Sequence, residues 1–215
     1  DKLHTLRSKA AKSMADKVSR ELKGLAMGDS ALAVAVNPDA ATPDDRLTVS
    51  VAGTAAHAGA DGADKVEFAL LAHPGATPLP IAKSASGGEL SRVMLALEVV
   101  LAAPTSGSVM VFDEVDAGVG GRAAVEIGKR LSRLARAHQV IVVTHLPQVA
   151  AFADNHLVIG KSKKGALVTS SVRTLDRSER VAELARMLAG LGESDTGRAH
   201  AEELLATAEA ERAAD

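Results

Sequence analysis

Two short apolar runs, each closing on polar residues and separated by a helical pattern, constrain this chain more than any other feature. Val109-Met110-Val111-Phe112 ends in Asp113-Glu114, and Val140-Ile141-Val142-Val143 ends in Thr144-His145. Runs this short and rich in branched residues read as buried strands. Between them, residues from about Gly121 to Ala137 carry the period of a helix. Strand, helix, strand in that order makes a βαβ unit, with a parallel sheet covered by helices. Open α/β sheets bind their ligands beyond the C-terminal ends of such strands. Asp113, Glu114 and His145 therefore fall at the edge where chemistry is done.

The remaining pattern extends this α/β reading in both directions. Downstream come a short helix from Pro147 and a strand at His156 to Ile159. A hairpin turn at Lys161 to Gly165 leads into Ala166 to Val172, and amphipathic helices follow near Ser178 to Ala189 and Thr196 to Ala213. Upstream, Leu3, Leu6, Ala10, Met14, Val18, Leu22 and Leu25 recur at steps of three or four, the mark of one apolar stripe on a helix over residues 2 to 25 that Gly24 and Gly28 end. Short β-prone runs at Ala31 to Val36, Leu47 to Val51 and Val66 to Leu71 predict a small antiparallel sheet with loose loops. After Pro74, Pro78 and Pro80 a helix is expected from Gly87 to Ala102. With 47% hydrophobic residues among 215, the chain can bury a sizeable core. Its net charge of −2 advertises no nucleic-acid surface, and the absence of Cys removes thiol catalysis and thiolate metal sites. No apolar run approaches the roughly 20 residues that span a bilayer. The chain starts Asp1-Lys2-Leu3-His4, without an initiator Met or a signal-peptide pattern, and reads as a piece of a longer protein.

Three motifs carry candidate chemistry. In Ala85-Ser86-Gly87-Gly88-Glu89-Leu90-Ser91-Arg92, Ser86 and Glu89 have the spacing of a capping box. That does not account for Gly87 and Gly88, which cost a helix up to about 1 kcal/mol each relative to Ala and are tolerated where the backbone must approach something closely. A helix N-terminus with bare amides suits a phosphate. In the second motif Asp113 is placed to hold Mg²⁺ through water and Glu114 to orient or deprotonate the water that attacks a γ-phosphate, against the plainer reading of a solvated acidic turn. In the third, His145 is either a structural histidine or, beside the Asp113 edge, a group that reaches a γ-phosphate oxygen. A phosphate-binding loop is missing. Gly160-Lys161-Ser162 has Asn155 where the upstream Gly belongs, and it follows a strand into a Lys-rich turn with no helix to open.

The order Ser-Gly-Gly-Glu, Asp-Glu-Val-Asp, Thr-His resembles the second half of an ABC ATPase head. The wording of residues 85 to 92, of Phe-Asp-Glu-Val-Asp-Ala-Gly-Val-Gly-Gly (112 to 121) and of Thr-His-Leu-Pro-Gln-Val-Ala (144 to 150) resembles the RecN family of bacterial DNA double-strand-break repair proteins. Val66-Glu67-Phe68 and Glu183-Leu184-Ala185-Arg186-Met187-Leu188 extend the likeness to about residues 20 to 205. The resemblance implies an SMC-like, cytoplasmic protein, associated with the nucleoid on DNA damage, whose ATP-driven heads dimerise. Residues 1–28 would be the returning end of a coiled coil, 29–83 a small antiparallel β region, and 84–215 the C-terminal lobe. It implies that Ser86, Gly87, Gly88 and Glu89 are the signature closing on ATP held by a second head. Asp113 would be the Walker B ligand of Mg²⁺, Glu114 the catalytic base, Asp116 the D-loop aspartate, a nucleotide-binding residue with the signature, and His145 the switch histidine, catalytic with Glu114. The phosphate-binding loop would come from the protein's own N-terminal lobe, so this chain alone is expected to be inactive. DNA is the implied partner of the intact protein, and no membrane is implied. The alternatives are the head of a chromosome-organising SMC protein, a transporter nucleotide-binding subunit, and a dimerisation module without catalysis. Gly-Gly-Glu where transporters show Gly-Gly-Gln, and Ala-Gly-Val-Gly where SMC heads show Ala-Ala-Leu-Asp, speak against the first two.

Overall fold

A computed structural model of the chain describes residues 1–101, 107–164, 167–189 and 195–214. Contacts divide it into two compact units, Asp1–Leu101 and Ala102–Asp215.

The first unit opens with helix α1 (Lys2–Gly24), followed by strands β1 (Ala31–Pro38), β2 (Thr48–Val51), β3 (Thr54–His57), β4 (Asp64–Leu71) and β5 (Leu79–Pro80), a single turn α2 (Ile81–Ser84) and helix α3 (Gly87–Leu101). The expected antiparallel sheet is present in the order β1-β4-β5, with Ala31 opposite Leu71 and Pro38 opposite Asp64. Beside it β2 and β3 form a hairpin across Ala52 and Gly53, both with positive φ, the backbone that tight hairpins require. β3 and β5 were not expected from the sequence. Helix α1 packs on β1 and α3. Its stripe departs from the expected one at the start: Val18, Leu22 and Leu25 are buried and Ala11 is buried where Ala10 was expected, whereas Leu3, Leu6 and Ala10 are exposed. The first turns of α1 are held instead by polar contacts, His4 and Arg7 to Asp64 and Arg7 to the Asp61 carbonyl. At its other end Ala26, rather than a glycine, takes the left-handed turn (φ +57°), and the Met27 N–H donates to the Leu22 carbonyl. Leu22 and Met27, the two positions this type of cap brings together, are both buried.

The second unit runs β6 (Val109–Phe112), α4 (Gly121–Ala135), β7 (Gln139–Val142), α5 (Pro147–Ala150), β8 (Leu157–Lys164), β9 (Leu167–Thr174), α6 (Arg177–Ala189) and α7 (Asp195–Ala214). β6 and β7 pair in parallel, Val109 with Gln139 and Phe112 with Val142, so the expected βαβ unit is formed. β8 does not join it among the described residues; it pairs antiparallel with β9. The expected helix end at Ala102 and the turn residues Gly165 and Ala166 lie outside the described residues. Helix α4 buries Ala124, Ile127, Gly128, Leu131 and Leu134, one face at helical spacing. Helices α6 and α7 enclose a core of Ala150, Ala151, Phe152, Val181, Leu184, Ala185, Ala201, Leu205 and Ala208. One expectation is corrected here. The strands expected to be buried are covered on one face only: Met110, Phe112, Val140 and Val142 point inward, while Val111 (66%) and Ile141 (45%), paired across the ladder, are exposed. Side chains alternate across a strand, and helices of this unit cover a single face of the pair.

Candidate functional site

Strand β6 ends at buried Phe112, and the next two residues, Asp113 and Glu114, are exposed at its C-terminal edge. Glu114 has φ +56°, the left-handed region that costs a residue with a Cβ about 1–2 kcal/mol. Its N–H donates to Asp113 Oδ1 at 2.9 Å, and its carbonyl accepts the Ala117 N–H at 3.0 Å, so the turn is fixed on both sides. Val115 and Asp116 then dip into the protein, leaving the two acids before them outside. Ala26 and Ala52 share this backbone in plain turns; what sets Glu114 apart is that the strained backbone displays a carboxylate, and such strain often clusters at functional sites.

Thr144 and His145 follow the C-terminal end of β7, next to β6 in the ladder. The Asp116 carboxylate, 2% exposed, accepts the Thr144 hydroxyl and the His145 N–H, the latter at 3.3 Å, on Oδ2. The His145 imidazole is 74% exposed, with Nδ1 3.5 Å from the same oxygen. The Leu146 N–H in turn donates to Thr144 Oγ1 at 3.0 Å. Asp116 and His145 are thus brought into direct contact, with Asp113 and Glu114 on the segment leading into Asp116. Thr144 was not among the residues singled out for a role. The signal available was its place between an apolar run and His145.

The Ser86 cluster belongs to the first unit. Ser86 N–H and Oγ donate to Glu89 Oε2 at 2.9 and 2.8 Å, and the Glu89 N–H returns to Ser86 Oγ at 3.4 Å. The capping box read from the spacing is therefore formed. The backbone bond from Ser86, then its hydroxyl bond, hold the Glu89 carboxyl below its usual range. Gly87 is exposed in the first turn of α3 and Gly88 is buried. Gly160-Lys161-Ser162 lies within β8, with Gly160 opposite Ser171 and Ser162 opposite Thr169. A paired strand is not the loop that cradles phosphates.

Among the described residues no group of three or more His, Asp or Glu is arranged to hold a metal, and no helix is long and apolar enough to cross a membrane. Asp113, exposed at the strand end, is the carboxylate that could serve Mg²⁺ as one ligand, an ion that takes its other ligands from water and phosphate.

No protein-family model matches the chain. Among curated proteins it is similar to the DNA repair protein RecN of Mycobacterium tuberculosis (strain ATCC 25618 / H37Rv), 60% identical over 211 residues, covering 96% of this chain and 36% of that protein. It is 54% identical to the RecN of Streptomyces coelicolor over 96% of this chain and 35% of that protein, and 39% identical to that of Bacillus subtilis over 95% and 35%. The chain thus spans about a third of the length of the curated relatives it matches. Among solved structures, the Smc head domain from Pyrococcus yayanosii aligns with a TM-score of 0.48 at 21% identity, over 83% of this chain and 29% of that one. At this identity across nearly all of its residues, the chain belongs to the RecN family.

Proposed function

We propose that the chain is the C-terminal lobe of an ATP-hydrolysing, SMC-like head that acts in DNA double-strand-break repair. The observation that carries this reading is Glu114, held in a left-handed turn by Asp113 at the C-terminal end of β6, beside Thr144-His145 at the end of parallel β7. In the reaction Glu114 accepts the proton of the attacking water, and Asp113 would hold Mg²⁺, through water. When bound, Mg²⁺ offsets the charge on the transferring phosphoryl group. His145 hydrogen-bonds an oxygen of the γ-phosphate. Ser86, Gly87, Gly88 and Glu89 present a helix N-terminus to ATP held on a second head, closing a homodimer. Asp116 belongs to the same loop as the two acids. The β and γ phosphates are cradled by a phosphate-binding loop on the protein's own N-terminal lobe. The uncovered apolar faces of β6 and β7 support such a partner within the intact protein. The likeness to DNA repair proteins supports DNA as the partner of the intact protein and the cytoplasm, at the nucleoid, as its location.

In the intact protein Glu114→Gln should retain nucleotide binding and stop hydrolysis, because the amide keeps the shape but takes no proton. ATP-bound, engaged heads should accumulate; turnover at the wild-type rate would remove Glu114 from this role. The 215-residue chain by itself should hydrolyse no ATP. Sustained turnover by it, abolished by Glu114→Gln, would show that the chain needs no other lobe.

A further inference from the structure

A carboxylate with 2% exposure is costly to bury unless its oxygens are hydrogen-bonded, and the donors Asp116 finds come from one short segment. Thr144 gives its hydroxyl and His145 its backbone N–H to Oδ2, and the His145 ring turns Nδ1 toward the same oxygen at 3.5 Å. Leu146 donates to Thr144 Oγ1 at 3.0 Å, so the chain reversal after β7 is built around this carboxylate. Asp116 lies three positions after Asp113 in the β6 loop, and its own carbonyl accepts the Val119 N–H. A single buried group therefore ties the loop that carries the two acids to the loop that carries the histidine. The His145 side chain remains 74% exposed, open to a ligand.

We propose that Asp116 is a positioning residue: it acts through Thr144 and His145, fixing where the His145 ring stands relative to Glu114, and it does not itself touch nucleotide. This rests on the ATPase reading above. Groups that orient a metal-ligating histidine through its second ring nitrogen cost about 10–100-fold in affinity or activity when removed, and the same orienting logic applies to His145.

The test uses the intact protein and a double-mutant cycle. Asp116→Ala should lower kcat by about 10–100-fold, with KM for ATP little changed. The double variant Asp116→Ala/His145→Ala should be no slower than His145→Ala alone, because the bonds that Thr144 and His145 make to Asp116 serve to place the His145 ring. Asp116→Asn, which keeps an acceptor oxygen for Thr144 and His145, should recover most of the loss. Where Asp116→Ala folds poorly, Thr144→Val removes one donor at nearly constant volume and should reproduce the fall in kcat. The proposal is overturned by multiplicative losses in the cycle, by an Asn variant as slow as Ala, or by a rise in KM that accounts for the defect. Glu114→Gln is run beside these variants. If it turns over like wild type, the ATPase reading fails and the proposal falls with it. If it is inactive while the cycle is multiplicative, only the role given to Asp116 is lost.

Discussion

A methyl group on Gly128 would stand 2.4 Å from Cδ2 and 3.0 Å from Cγ of Phe152, so the aromatic ring lies directly on the backbone of α4. Because Cγ is involved, rotating the ring about its own axis does not relieve the clash. Helix propensity alone favours Gly128→Ala by about 1 kcal/mol. Overpacking a core costs about 1–3 kcal/mol, and Phe152 is 4% exposed inside the α6–α7 core. Gly128→Ala should therefore lower the thermal midpoint of the chain. An unchanged or raised midpoint would mean that the ring has room to withdraw. Ala26 and Glu114 present the opposite situation, side chains kept where glycine would be easier. At Ala26 the turn only closes a helix. At Glu114 the carboxylate is what the strained backbone displays, and relieving the strain with glycine would remove it.

Helix α1 is anchored at its start by one acid of another element. Asp64, with a side chain 3% exposed at the beginning of β4, accepts His4 Nδ1 at 2.6 Å and Arg7 Nη1 at 3.2 Å. Burial pushes its carboxyl up, but the bonds from His4 and Arg7, with their charges, outweigh burial and hold it below the ordinary value of 3.8. A carboxyl depressed by folding stabilises the fold above its unfolded value, and that contribution is lost as pH falls through the folded one. The first two turns of α1 should therefore loosen as pH drops below 3.8. Hydrogen exchange over residues 2–8 would read this, and Asp64→Asn should show weaker protection at neutral pH with little further change on acidification. Equal protection in both proteins would mean that apolar contacts hold the helix. None of this clamp is legible in the sequence, since it joins residues about 60 positions apart. What periodicity does reveal is the long elements: α1, α3, α4, α6 and α7 were expected close to where they stand. β3 was missed because Thr54-Ala-Ala-His has a single branched residue and is made a strand by its partner β2. The place of the two acids at the end of β6 was legible because an apolar run that stops at two carboxylates marks where a strand leaves the core. The union of Asp116 with Thr144 was not, because nothing in spacing tells which acid turns inward.

At the scale of the whole molecule, the question is whether the N-terminus of α3 serves its own fold or a second copy. The observed bonds between Ser86 and Glu89 are sufficient for a cap, and a cap is worth about 1 kcal/mol. They also alter what a substitution does there. Ser86 Oγ lies 2.8 Å from Glu89 Oε2, so aspartate at this position would oppose Glu89 and lose part of the stability that its good capping geometry supplies. Asparagine caps equally well, can donate to Glu89, and brings no charge. Comparing Ser86→Asn with Ser86→Asp therefore separates the size of the side chain from its charge. If Ser86 only caps, both variants should form ATP-dependent dimers of the intact protein, with Asp melting somewhat lower. If Ser86 meets the γ-phosphate of ATP on another head, a carboxylate there faces phosphate in a poorly hydrated interface, where like charges cost far more than in water. Ser86→Asp should then fold at room temperature and bind ATP on its own head, yet remain monomeric and turn over poorly. Glu114→Gln, which lets engaged heads accumulate, gives the most sensitive background in which to look. A folded Ser86→Asp variant that dimerises with ATP as well as its Asn counterpart would leave Ser86 as a helix cap and nothing more.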